Sequence, residues 1–260
     1  MEEPLCESAF GSDRLLGLMY AHSKGRFLGT FSFFSETEAM KLTSEKLGNQ
    51  DVGAMTRLVY RPLHETGKIL QVGMSAAVMS PQYSSTDSLN HKQYTLAANF
   101  PTRISKLKAV SRTINEAQTL YKFTPELLAA YGRLALETQY YYTHINRKGT
   151  LPRYKASGVY AAVRDLIKGH AYQYSNYDGC ISTPEGGNME LVAAYNYTDL
   201  SDHKAGIRGG RSNDWSLTYN YYINKYVLVR VRGSYTRTTD HAGYDDNEVK
   251  ILETRLPIKF

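Results

Sequence analysis

Asp214-Trp-Ser-Leu-Thr-Tyr-Asn-Tyr-Tyr-Ile223 is followed by Val227-Leu-Val-Arg-Val-Arg-Gly-Ser-Tyr-Thr236 and then by Ile251-Leu-Glu-Thr-Arg-Leu-Pro-Ile-Lys-Phe260. All three runs alternate. Trp215, Leu217, Tyr219, Tyr221 and Ile223 stand against Ser216, Thr218, Asn220 and Tyr222. Val227, Val229, Val231, Gly233 and Tyr235 stand against Leu228, Arg230, Arg232, Ser234 and Thr236. Leu252, Thr254, Leu256, Ile258 and Phe260 stand against Ile251, Glu253, Arg255, Pro257 and Lys259. A period of two sends successive side chains to opposite faces of a strand, so each run has one apolar and one polar face.

A soluble sandwich alternates in the same way, so the pattern needs a second criterion. The apolar faces are aliphatic along the middle and aromatic towards the ends. The polar faces carry Arg230, Arg232, Glu253, Arg255 and Lys259, which a small packed core would not bury unpaired. Apolar outward and charged inward is the arrangement of a transmembrane β-barrel with a wet lumen.

Composition agrees. The 260 residues hold no run of 18 apolar residues, which excludes a helical membrane protein but leaves barrels untouched, because only half of each strand faces lipid. Tyrosines number 22 against 8 phenylalanines and 1 tryptophan. A ring with a polar tip suits a membrane–water boundary, although tyrosine is also simply a good strand former. The net charge of +6 favours anionic partners without choosing among solute, lipid and nucleic acid. Cys6 and Cys180 have no metal-ligand spacing and form no CxxC.

Asn188-Met-Glu-Leu-Val-Ala-Ala-Tyr-Asn-Tyr-Thr-Asp-Leu200, Gly209-Gly-Arg-Ser-Asn-Asp-Trp-Ser-Leu-Thr-Tyr-Asn-Tyr-Tyr222 and the terminal Arg255-Leu-Pro-Ile-Lys-Phe260 resemble the closing motifs of the phosphate-selective porin O and P family of bacterial outer membranes. The likeness is specific from Gly132 to Phe260 and collinear upstream. It implies an outer-membrane porin that passes small anionic solutes, meets lipid on its outside and assembles as a homotrimer when full length. It implies neither enzyme activity nor a cofactor. The chain opens acidic, Met1-Glu-Glu-Pro, with no apolar signal region. Met1 to Phe10, followed by Arg14-Leu-Leu-Gly-Leu18, resembles an interior segment of the family, which implies that the export signal and first strands are missing.

Further strands are predicted over Asp13–Ala21, Gly25–Phe34, Asp51–Tyr60, Lys68–Met79, His91–Phe100, Arg133–Asn146, Ala156–Ile167 and from Met189, with Arg61-Pro62 ending the third because proline cannot donate to a ladder. Phe27, Gly29, Phe31 and Phe33 share one face, and Arg57 and Arg61 oppose Leu58 and Tyr60. Ser35–Gly48 and Pro81–Asn90 read as polar loops. Thr124-Pro-Glu-Leu-Leu-Ala-Ala-Tyr131 is locally a good helix start, with a Thr cap and Pro at the first position. The family has a strand there turning at Gly132, and pairing overrides weak propensity. Lys168–Gly187 is a long connection, in the family a periplasmic segment that can fold toward the pore. The fold expected is all-β, one antiparallel transmembrane β-barrel domain over residues 1–260, with about 12 strands of a 16-stranded porin.

No catalytic signature is present: there is no G-x-S-x-G, H-E-x-x-H or phosphate loop, and the seven histidines are scattered singly. No metal site is predicted. The constellation with physical content is inward positive charge. Arg230 and Arg232 share the lumen face of one strand, and Arg255 and Lys259 that of the next. Fixed cations along a water-filled pore raise the local anion concentration. The bland alternative is a solvated wall balanced by Glu253, Glu190 and Glu137. A second candidate is the basic connector Pro101–Asn115, with Arg103, Lys106, Lys108 and Arg112. Phosphate-selective members carry a ladder of closely spaced arginines. The comparable place here reads Asn99-Phe-Pro-Thr-Arg103, without an Arg-x-Arg run, and lysine lacks the planar fork that grips an oxyanion. Two rival classes differ in what they require. A barrel enzyme acting on lipid needs a nucleophile and base at the wall. A soluble basic β-protein binding nucleic acid needs the apolar faces buried; the porin reading excludes nucleic acid as a partner.

Overall fold

The computed structural model describes residues 5–11, 15–36, 52–80, 93–102, 107–243 and 245–258. The predicted loops at 35–48 and 81–90 therefore lie outside the described residues, apart from the end of the second strand. Eleven strands form one antiparallel sheet. In spatial order they are β1 (Leu15–Lys24), β2 (Phe27–Glu36), β3 (Val52–Glu65), β4 (Lys68–Ser80), β7 (Ala117–Tyr131), β8 (Leu134–Arg147), β9 (Tyr154–Lys168), β12 (Met189–Asp199), β13 (Gly209–Tyr222), β14 (Leu228–His241) and β15 (Asn247–Arg255). Among the described residues the sheet is not closed, and β1 and β15 are its edges. Two small hairpins stand apart from it, β5 (Gln93–Asn99) with β6 (Lys108–Asn115) and β10 (Tyr174–Ser175) with β11 (Cys180–Ile181), together with a short helix α1 (Leu5–Phe10).

The alternation resolves into two faces of different chemistry. On the outer face Phe27, Phe33, Leu58, Trp215, Leu217 and Leu256 are exposed, and Leu252 is 81% exposed. On the inner face Ser212, Asp214, Thr218, Asn220, Arg230, Arg232, Ser234 and Thr236 are buried. Apolar residues outside and polar residues inside invert the arrangement of a soluble core.

Each end of the sheet has its own kind of connection. At one end the turns are tight, at Gly25, Gly67 and Gly132, each with positive φ (55°, 74° and 55°), which a residue without Cβ adopts without strain. The β13–β14 link, residues 223–227, closes at the same end. At the other end lie the links 148–153 and 200–208, while the long link between β9 and β12 returns to the end of the tight turns. Short periplasmic turns and longer extracellular loops are the rule for outer-membrane barrels.

Of three regions the sequence left in question, two need correction and one, residues 124–131, holds as the strand expected there. Arg61-Pro62 does not end its strand: β3 runs on to Glu65, and the register shifts between Tyr60 and Leu63. A bulge there removes the ladder bond proline could not make. Residues 124–131 are strand throughout, within β7, and turn at Gly132 as the family pattern requires. The region from His91 to Asn115 is neither a wall strand nor a plain connector. β5 and β6 pair only with each other, in a hairpin that lies against α1, β13 and β14. Leu96, Ala98, Val110 and Ile114 are buried there with Phe10, Tyr141, Ile145, Tyr154 and Leu200. Part of the interior is therefore an apolar plug.

Candidate functional site

A belt of polar side chains crosses the inner face from strand to strand. Glu190 on β12 is fully buried, and both its carboxylate oxygens are engaged. Arg164 on β9 donates to Glu190 Oε1 from Nε (2.9 Å), with Nη2 at 2.7 Å. The Tyr172 hydroxyl donates to the same oxygen at 2.9 Å. Asn220 Nδ2 and the Tyr222 hydroxyl donate to Oε2 at 2.9 and 2.8 Å. Arg230 Nε then donates to Asn220 Oδ1 at 2.7 Å, and Arg164 Nη1 lies 4.0 Å from Glu137 on β8. Glu190 faces Asn220, Asn220 faces Arg230 and Arg230 faces Arg255 in register, so neighbouring strands deliver the belt at one level. Burial and the neighbouring Glu190 push the Tyr172 hydroxyl well above its ordinary range, which keeps it a donor.

Further along the same face, Asp214 is buried among Thr236, whose hydroxyl donates at 2.9 Å, Asn196 at 3.4 Å and Arg232, with Nη2 at 3.7 Å. Arg255 donates to Glu253, which faces Arg232 in register. The cations of this wall stand among carboxylates and amides.

The connection from Lys168 to Gly187 folds onto the same face. Arg57 holds Glu126 through Nη2 (2.7 Å) and Nε (3.2 Å), and donates to the Asp178 and Gly179 carbonyls at 2.9 and 3.0 Å. Gln71 Nε2 donates to Glu126 and to the Gly179 carbonyl at 2.8 and 3.0 Å, while its Oε1 accepts from the Tyr174 hydroxyl. Arg61, buried, donates to the Asn176 carbonyl and to Ser23 Oγ at 3.0 and 2.6 Å. Backbone bonds tie Tyr172 to the turns at Gly67 and Gly132. A segment touching β3, β4, β7 and β12 on one face requires that the sheet curl around it.

Between this connection, the 223–227 turn and the inner wall lies a recess of about 410 Å³. Arg164, Arg230 and Arg255 line it, and no carboxylate does so among the described residues.

Of the residues singled out in the sequence, Arg230, Arg232 and Arg255 thus lie together on inner-face strands. Lys108 and Arg112 lie on β6 of the plug hairpin, the first exposed and the second half-buried. Arg103, Lys106 and Lys259 fall outside the described residues. Arg164 was not among the candidates. Its signal was available, since Ala162, Arg164 and Leu166 alternate with Val163 and Ile167 in the same pattern as the C-terminal strands. The anchoring roles of Arg57 and Arg61 had no such signal, because their partners are carbonyls more than a hundred residues away.

A family model described as phosphate-selective porin O and P matches residues 7–260. No curated protein matches the chain.

Proposed function

Because the chain belongs to the phosphate-selective porin O and P family, and is therefore an outer-membrane porin, we propose that Arg230, Arg232 and Arg255 set the charge preference of its passage in favour of small anions. The observation that carries this reading is the sorting of the two faces: Arg230 and Arg232 are 8% and 6% exposed on the inside while Leu252, on the next strand, is 81% exposed on the outside. Fixed guanidinium groups in a narrow aqueous route attract anions and repel cations, and need no chemical step to do so. The same reading makes Lys108, Arg112, Arg103, Lys106 and Lys259 auxiliary cations along the route. The protein works as a diffusion channel and not as an enzyme, with no cofactor. Its outer face is solvated by acyl chains, and three copies associate.

The test is reconstitution in planar bilayers under a salt gradient. The reversal potential should have the sign of anion selectivity, and the double variant Arg230→Gln, Arg232→Gln should move the permeability ratio toward unity. Cation selectivity of the unsubstituted chain would overturn the reading. Cross-linking in native membrane that yields only monomers would remove the trimer from it.

A further inference from the structure

The outer face carries a groove of about 570 Å³ that crosses β9, β12, β13 and β14. Ala161, Ala193 and Gly233 form its floor, and Leu217, Trp215 and Tyr235 stand around it. Gly233 sets its depth. A Cβ built there meets nothing within 4 Å, while Leu217 and Leu252 face it from the two neighbouring strands. No charged residue lines the groove among the described residues. Its volume lies in the range of sites for organic ligands. In an outer-membrane protein the medium against this face is hydrocarbon, so the natural occupant is an acyl chain.

The groove has a polar boundary towards one end of the sheet. Trp215, Tyr235 and Lys250 share one register level, and Asn213, Arg237 and Glu248 share the next. The Tyr195 ring lies 4.3 Å from that of Trp215, and its hydroxyl donates to Asn213 Oδ1 at 2.9 Å. Rings with their polar tips turned to such a layer mark a membrane–water interface. β14 ends and β15 begins opposite the tight turns, so this interface is the one at the cell exterior. Arg237 and Glu248 form an exposed pair at 3.9 Å and offset each other. Lys250 is exposed and has no ion-pair partner among the described residues. A positive charge at the mouth of an apolar groove complements a lipid that joins an acyl chain to an anionic head.

We infer that the groove holds one acyl chain of a phosphorylated glycolipid of the outer leaflet, with a phosphate at Lys250. The inference goes beyond anion passage and does not depend on it, because Gly233 and Lys250 lie on the outside of the wall.

Native mass spectrometry of the full chain, folded in detergent and titrated with a bisphosphorylated, acylated glucosamine disaccharide, should show one retained lipid. The same disaccharide without its phosphates should be retained about fivefold less. Lys250→Gln should erase that difference. Gly233→Leu, for which the groove has room, should lower retention of both forms about tenfold. Equal retention of the two forms by the unsubstituted chain, a phosphate preference that survives Lys250→Gln, or full retention by Gly233→Leu overturns the inference. Phosphatidylglycerol held as tightly as the glycolipid overturns the choice of lipid. If Gly233→Leu does not fold, Lys250→Gln on the surface decides alone. Cation selectivity in the bilayer experiment would remove the passage reading and leave this site standing, whereas equal retention would remove only the site.

Discussion

Removing the Glu190 carboxylate would leave Arg164 buried beside Tyr172, Asn220 and Tyr222, with Glu137 as the remaining acid at 4.0 Å. Breaking a buried pair by deleting one partner leaves an uncompensated charge, at a cost of about 3–5 kcal/mol. Glu190→Ala should therefore lower the urea midpoint of the folded chain markedly. The double variant Glu190→Ala, Arg164→Met should regain most of the loss, because replacing both partners removes the stranded charge. If the single variant unfolds at the original midpoint, the pair is solvated by lumen water and carries little stability. The residue scale is also where the sequence was least informative. That Arg230 and Arg232 face inward is readable from alternation, but that Asn220 receives one and Asp214 stands beside the other depends on register. Register is set by turns and bulges across the whole sheet.

Among the elements, the wall strands were legible and the interior pieces were not. β13, β14 and β15 could be drawn from the alternation of Trp215, Leu217, Val229, Val231, Leu252 and Leu256. The same periodicity in Tyr94, Leu96 and Ala98 led to a wall strand where a plug hairpin exists. A period of two reports a half-buried strand and not the sheet to which it belongs. The family resemblance implied that the connection around Cys180 can fold toward the pore, but its anchors were hidden, since carbonyls of Asn176, Asp178 and Gly179 supply them and a carbonyl leaves no mark in a sequence. Cys180 offers a native reporter of that docking. Burial, with a smaller contribution from Asp178, pushes its thiol above the ordinary cysteine value. In a Cys6→Ser background, thiol labelling near neutral pH should then be slower than for an exposed cysteine, and its rate should rise with pH only above that ordinary value. Gln71→Ala with Tyr174→Phe removes two anchors without changing charge. Labelling should accelerate and its pH midpoint should fall. An unchanged rate would mean that Arg57, Arg61 and the Tyr172 bonds hold the connection without these two anchors.

At the scale of the whole molecule the two faces predict opposite responses to the same substitution. Leu217 and Thr218 are sequence neighbours, one exposed outside and one buried inside. Leu217→Lys places an ammonium group in hydrocarbon, at about 2–4 kcal/mol near the bilayer midplane and less toward the interfaces. Refolding into lipid vesicles should show that loss. Thr218→Lys faces the lumen but stands opposite Arg232, so it should cost less vesicle stability than Leu217→Lys and should alter ion selectivity. Equal effects at both positions would contradict the sorting of faces on which the channel depends.

Strand neighbours in this sheet are mostly neighbours in sequence, so pairing can proceed hairpin by hairpin with little loop-closure entropy. The plug and the connection at 168–187 are different: they emerge between wall strands and finish inside the curl. A wall that zipped fully before they docked would oblige a loop to thread back through a narrowing mouth. The order of assembly is thereby constrained. β5–β6 and β10–β11 have to settle against half-formed neighbours while the sheet still lies open beside them, so the interior is laid down as the wall rolls around it.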